Sequence, residues 1–191
     1  MTLLASLCLL SPSALAASPD TQGGAAVYSS LRASVAVPTG YQGFATSYSA
    51  EVGAMFHDGN QLGLRFAWLP NPPDVYGAAT PPQAVGPVAV WAYNAHITPT
   101  VDLAPSAALG AVFGQSPTTG NNKVLPYVQG GLAMRLRFPL PGGATIGAAP
   151  EIGFVPTILA PYMAFSVAYI GAPPAQSSLA YQNPVWGPDS R

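Results

Sequence analysis

Between Phe44 and Phe56 the chain alternates without a fault. Phe44, Thr46, Tyr48, Ala50, Val52, Ala54 and Phe56 interleave with Ala45, Ser47, Ser49, Glu51, Gly53 and Met55. Successive side chains of an extended strand point to opposite faces, so a period of two specifies a β-strand with one apolar and one small or polar face. Two folds can use such a strand. In a soluble protein the apolar face covers a core and Glu51 stands in water. In a membrane barrel the apolar face meets lipid and Glu51 enters the lumen.

The same pattern recurs along the chain. Period-two runs bounded by turn residues predict eight strands, at 25–37, 41–56, 60–70, 87–98, 100–114, 124–138, 144–156 and 161–171. Twenty glycines and 22 prolines break any long helical pattern. After the N-terminus no apolar run reaches the roughly 18 residues of a spanning helix. The connections alternate in kind: HDG, TPT and PLPGG are tight, whereas NPPDVYGAATPPQAVG and QSPTTGNNK are long. Short turns on one side and long loops on the other describe an outer-membrane barrel with its short turns in the periplasm. An even number of strands puts both ends of the barrel on that side. Pro105, Pro126 and Pro150 fall inside these runs, where a missing N–H breaks the ladder and argues for different strand limits.

Charge decides the orientation. Charged residues are 7% of the 191, against about 25% in an ordinary soluble domain. Asp20, Asp58, Asp74, Lys123, Asp189 and Arg191 fall in turns, loops or termini. The other seven, Arg32, Glu51, Arg65, Asp102, Arg135, Arg137 and Glu151, all lie on the small, polar face of their strands. The opposite face runs through Leu62, Leu64, Phe66 and Trp68, and later through Leu132, Met134, Leu136 and Phe138, with no charge. A soluble protein turned that way would have a surface of Ala, Gly and Ser carrying seven charges, and would dissolve poorly. A charge facing lipid costs about 2–4 kcal/mol at mid-membrane, so the uncharged face is the lipid face and Glu51 points inward. Parity then sets register. The second and third strands both turn even-numbered residues outward, so an odd turn must join them. His57-Asp58-Gly59 fits a three-residue hairpin with Gly in the left-handed position, which sets Glu51 opposite Arg65. A 98–100 turn likewise sets His96 opposite Asp102.

The first sixteen residues, MTLLASLCLLSPSALA, read as an export signal, with an apolar core at Leu3–Leu10 and Ala14-Leu15-Ala16 before the cleavage point. Residues 17–24 form a lead-in, 25–171 the barrel, and 172–191 an irregular tail with PP, NP and GP steps. Cys8, the one cysteine, lies in the signal, so a mature chain has no disulfide and no thiol chemistry. An export signal, eight amphipathic strands, a charged interior and alternating turn lengths resemble the small outer-membrane barrels of the OmpA/OmpX type. The resemblance covers roughly 25–171. It implies a closed, antiparallel, up-and-down, eight-stranded transmembrane barrel in the bacterial outer membrane, in contact with outer-membrane lipid and with the assembly machinery. Barrels of that type usually end in an aromatic residue, whereas here Phe165, Val167 and Tyr169 precede the tail.

Eight strands close to an interior that side chains just fill. The expected role is therefore structural or surface-interacting, with the lumen plugged by ion pairs among Arg32, Glu51, Arg65, Asp102, Arg135, Arg137 and Glu151. Glu51 pairs with Arg65, and Glu151 with Arg135 or Arg137. The same residues are the candidate gate of the first alternative, a narrow water-filled channel. A secreted carrier of the lipocalin type is the second, and it requires apolar residues inside and a charged exterior. No catalytic set is assigned: His96 with Asp102 and nearby Ser106 face the lumen, away from any lipid substrate. Two histidines on different turns lack metal-ligand spacing, and Gly23-Gly24, Gly130-Gly131 and Gly142-Gly143 match no phosphate-binding fingerprint. No cofactor is expected. A net charge of −1 excludes a nucleic-acid partner. Any extracellular ligand is expected at loops 70–86 and 115–123, around Asp74, Tyr76, Asn121 and Asn122.

Overall fold

The computed structural model describes residues 25–39, 43–56, 58–73 and 80–172. The export signal, the whole lead-in, His57, Asp74, Tyr76 and all of the tail beyond Ala172 lie outside them. The described residues form strands β1 (Ala26–Ala36), β2 (Ala45–Met55), β3 (Asn60–Asn71), β4 (Ala84–Tyr93), β5 (Ala95–Thr98), β6 (Val101–Gln115), β7 (Asn122–Pro139), β8 (Thr145–Val155) and β9 (Ala160–Ile170). Apart from β4 and β5, which both lie against β6, consecutive strands are hydrogen-bonded to each other in antiparallel register. β4 and β5 both pair with β6, and β1 pairs with β9. β4 and β5 are therefore one stave interrupted at Asn94, and the sheet is a closed barrel of eight staves. Closure leaves no sheet edge, the condition for a β-structure to cross a bilayer.

The predicted limits need small corrections. β2 begins at Ala45 rather than 41, β4 begins at Ala84, and β7 runs longer at both ends. The prolines do not displace the strands. A residue in an antiparallel sheet aims its N–H and C=O at one neighbouring strand, and the next residue aims at the other. A proline can thus keep one ladder intact while the other lapses. Pro150 pairs with Phe165 of β9, and the β7–β8 ladder skips the steps between Ala133↔Glu151 and Leu136↔Ala148. Pro105 pairs with Leu132 of β7, and its other side meets the interruption at Asn94. Pro126 pairs with Ala111, above the point where β8 has ended. All three side chains face outward.

The hairpin between β2 and β3 closes as its parity requires. Phe56 N–H donates to Asn60 O at 2.7 Å and Gly59 takes φ +88°, leaving three residues in the turn. This turn, Pro99-Thr100 and the Pro141–Gly143 turn form one rim, here called the short-turn rim. Residues 72–73, 80–83 and 116–121 lie at the opposite, loop rim. Outward positions are large and open, as in Leu64 (58% exposed), Ile152 (63%) and Met163 (70%), while the inward Ala67 and Val88 are 0% exposed. Among the described residues none of the seven strand charges faces outward. This inside-out pattern gives the barrel an apolar belt, and it removes the carrier alternative, whose exterior would have to be charged.

Candidate functional site

Among the described residues the fold gathers its charged and polar chemistry in the lumen, which has two halves. Toward the short-turn rim it is filled by a polar network. Glu51 and Arg65 face each other across β2 and β3, with Arg65 Nη2 2.9 Å from Glu51 Oε2 and Nε at 2.9 Å. Tyr28 donates to Glu51 Oε1, and Gln61 Nε2 reaches the same oxygen at 3.4 Å. Arg65 Nη1 also donates to Gln129 Oε1 at 3.2 Å, and the Tyr127 hydroxyl joins that acceptor at 3.1 Å. On the other side Asn94 donates to Gln61 and accepts from Arg135 Nη1 at 2.6 Å. One connected chain therefore runs from Arg135 through Asn94, Gln61, Glu51, Arg65 and Gln129 to Tyr127.

The second carboxylate is held differently from the sequence expectation. Glu151 pairs with Arg32, not with Arg135 or Arg137, through Arg32 Nε at 3.0 Å. The β7–β8 register sets Glu151 opposite Ala133 and Arg137 opposite Gly147, so neither β7 arginine stands beside it. Ser106 and Tyr162 also donate to Glu151. Arg137 Nη2 instead reaches Asp102 at 3.1 Å, and His96 Nδ1 lies 2.6 Å from the same Asp102 oxygen, on the side where β5 faces β6. Ser106 thus turns to Glu151 and away from His96, and no Ser–His–acid relay forms among these residues.

Two glycine pairs shape this half. Tyr28 stands opposite Gly53, which stands opposite Gly63, and a side chain on Gly63 would collide with the Tyr28 hydroxyl. Tyr162 likewise stands opposite Gly153, which stands opposite Gly131, and a side chain on Gly131 would collide with the Tyr162 hydroxyl. In each unit the glutamate two residues before the first glycine accepts from the tyrosine. The unit occurs once on β1–β2–β3 and again, with strand directions reversed, on β9–β8–β7. Missing Cβ atoms create the groove in which each ring lies. Tyr28, Tyr162, Gln61, Asn94 and Gln129 were not singled out from the sequence. The available signal was a tyrosine on an otherwise small inward face, diagonal to an E-x-G step.

Toward the loop rim the lumen widens into a cup with apolar walls, including Ala67, Val88, Val112 and Leu125 on one side and Ala36, Ala45 and Ala160 on the other. Asn122 begins β7 opposite Gln115 and Asn121 accepts from the Ser116 N–H at 2.9 Å, so both asparagines sit exposed at the loop rim, apart from the lumen network.

No protein-family model matches the chain, and no curated protein resembles it in sequence. Among solved structures it is similar to Neisserial surface protein A (NspA), with a TM-score of 0.53 at 13% identity over 79% of this chain and 99% of that one. It also aligns with the N-terminal β-barrel domain of Pseudomonas aeruginosa OprF (TM-score 0.47, 12% identity, 78% and 99% covered). A third alignment is with the Yersinia pestis attachment invasion locus protein Ail (TM-score 0.40, 14% identity, 78% and 98% covered). The likeness to NspA extends to the fold: this chain is a small, closed, eight-stranded barrel of the kind found in outer membranes.

Proposed function

We propose that this chain is a bacterial outer-membrane protein with a structural or surface-interacting role, its lumen closed by side chains and its contacts made through loops 70–86 and 115–123. The observation that carries the reading is the connected chain from Arg135 to Tyr127, all of it inward and most of it buried. Ions crossing the barrel would have to break it, and an opened buried pair costs about 3–5 kcal/mol. The apolar belt is the surface for outer-membrane lipid, the short-turn rim the periplasmic one, and the assembly machinery the partner that inserts the barrel. Most polar groups of the lumen are used on one another, which supports a non-catalytic role.

A narrow water-filled path is the second reading. It draws on Arg32 Nη1 and Nη2 and Arg137 Nε, which are buried without a protein partner among the described residues. Buried water commonly satisfies such groups. Planar-bilayer recording on the refolded barrel separates the two. A silent membrane after confirmed insertion is the expected result. Reproducible unitary conductance, altered in size or selectivity by Arg32→Met, would replace the closed barrel with the channel.

A further inference from the structure

Above Gln129 the cup encloses a cavity of about 180 Å³ that opens toward the loop rim, walled by Leu69, Val112, Leu125 and Ile158. A dry apolar cavity of about 150 Å³ accepts a benzene ring, so this one fits a single six-membered ring with a small substituent. Its floor is polar and short of acceptors. Gln129 Oε1 is already occupied by Arg65 and Tyr127, while its amide N–H groups donate to none of the described residues. Ser34 and Ser47 place their hydroxyls 2.6 Å apart; one donates to the other, which leaves the second hydrogen free. Beneath them the Arg32 guanidinium lies 5.2 Å from the centre of the Tyr162 ring, and that ring is itself part of the cavity wall. Arg32 is 5% exposed, and two of its nitrogens have no partner among the described residues. Charge points the same way. Arg32, Arg65, Arg135 and Arg137 stand against Glu51, Asp102 and Glu151 in the lumen, an excess of one positive charge with His96 neutral.

Apolar walls of ring size, free donors on the floor and a buried, partly unpartnered cation beneath select one class of ligand. We propose that the cup is a binding site for a small monocyclic carboxylate of benzoate size. Its ring lies against Leu69, Val112, Leu125 and Ile158, and its carboxylate accepts from the Gln129 amide and the serine hydroxyl. A neutral ring would leave the donors unmet, and a cationic one would add repulsion to the excess positive charge. The site lies above the closed network and does not depend on whether the barrel conducts.

The test is calorimetric titration of benzoate, benzyl alcohol and benzylamine into the full chain refolded in lipid nanodiscs, with empty nanodiscs as the blank for partitioning. Saturable benzoate binding is expected, with benzylamine at least tenfold weaker. Ala45→Trp, which fills the cup from β2, should abolish it, and Ser47→Ala should weaken it several-fold. If Ala45→Trp does not fold, Val112→Phe fills the same space from the opposite wall. Benzoate uptake no greater than in empty discs, benzylamine binding as tightly as benzoate, or undiminished binding by a folded cup-filling variant would each overturn the site.

Discussion

Removing one partner of the Glu51–Arg65 pair tests register, orientation and lumen character in a single experiment. Both residues are almost wholly enclosed, at 7% and 6% exposed, so neither charge can turn to bulk water when the other is lost. Arg65→Met leaves Glu51 with the Tyr28 hydroxyl and the Gln61 amide, which soften the loss, and it also strips Gln129 of one donor. Glu51→Gln leaves Arg65 with neutral acceptors only, the new amide oxygen and the Gln129 carbonyl. Breaking a buried pair costs about 3–5 kcal/mol. We therefore expect Glu51→Gln near the upper end of that range and Arg65→Met near the lower. The double variant removes both charges, and its loss should fall short of the sum by a coupling of about 2–3 kcal/mol. Urea unfolding in lipid vesicles reads this directly. With a slope of about 1–3 kcal/mol per molar urea, a loss of about 3 kcal/mol moves the midpoint by roughly 1–3 M. Coupling below about 0.5 kcal/mol, in variants whose folded fraction is verified, would refute the argument, because contacting residues couple by more than that. An exposed, screened pair gives only about 0–1 kcal/mol, and such a value would mean that water fills the lumen at this level.

The other expectations use the same geometry. Phe66→Arg or Leu132→Arg sets a charge in the apolar belt and should cost about 2–4 kcal/mol near the bilayer midplane, whereas Ser47→Arg can extend into the cup and should fold into vesicles far better; equal yields from both faces would contradict the belt. Gly63→Ala places a methyl against the Tyr28 hydroxyl and should lose about 1–3 kcal/mol by overpacking, with Tyr28→Ala relieving part of it in the double variant; the same holds for Gly131→Ala with Tyr162→Ala, and additive losses would separate each tyrosine from its glycines. The folded protein should migrate differently on cold detergent electrophoresis before and after boiling, since the closed ladder of hydrogen bonds survives detergent; one position under both conditions would speak against closure.

Much of the barrel was already legible in the order of residues. A period of two needs no tertiary information, and seven charges on one face with none on the other fixed which side meets lipid, because a misplaced charge is expensive in a bilayer. The β2–β3 register also followed locally, since an odd turn ending in a glycine at positive φ admits only one parity. Other facts belonged to the closed cylinder. Glu151 meets Arg32 across 119 positions of chain because the first and last staves join and bring β1 round to β8 and β9. No count along one strand could choose that partner over the nearer Arg135 or Arg137. The prolines were misjudged for a related reason. Each strand has two neighbours, and only the assembled sheet tells which ladder a missing N–H falls on. Tyr28 over Gly53 and Gly63, and Tyr162 over Gly153 and Gly131, are cross-strand diagonals that exist once three staves lie side by side. Sequence assigned each residue to a face, because that depends on its neighbours along the chain. Closure assigned each inward residue its partner, because that depends on how far round the cylinder the strands are staggered.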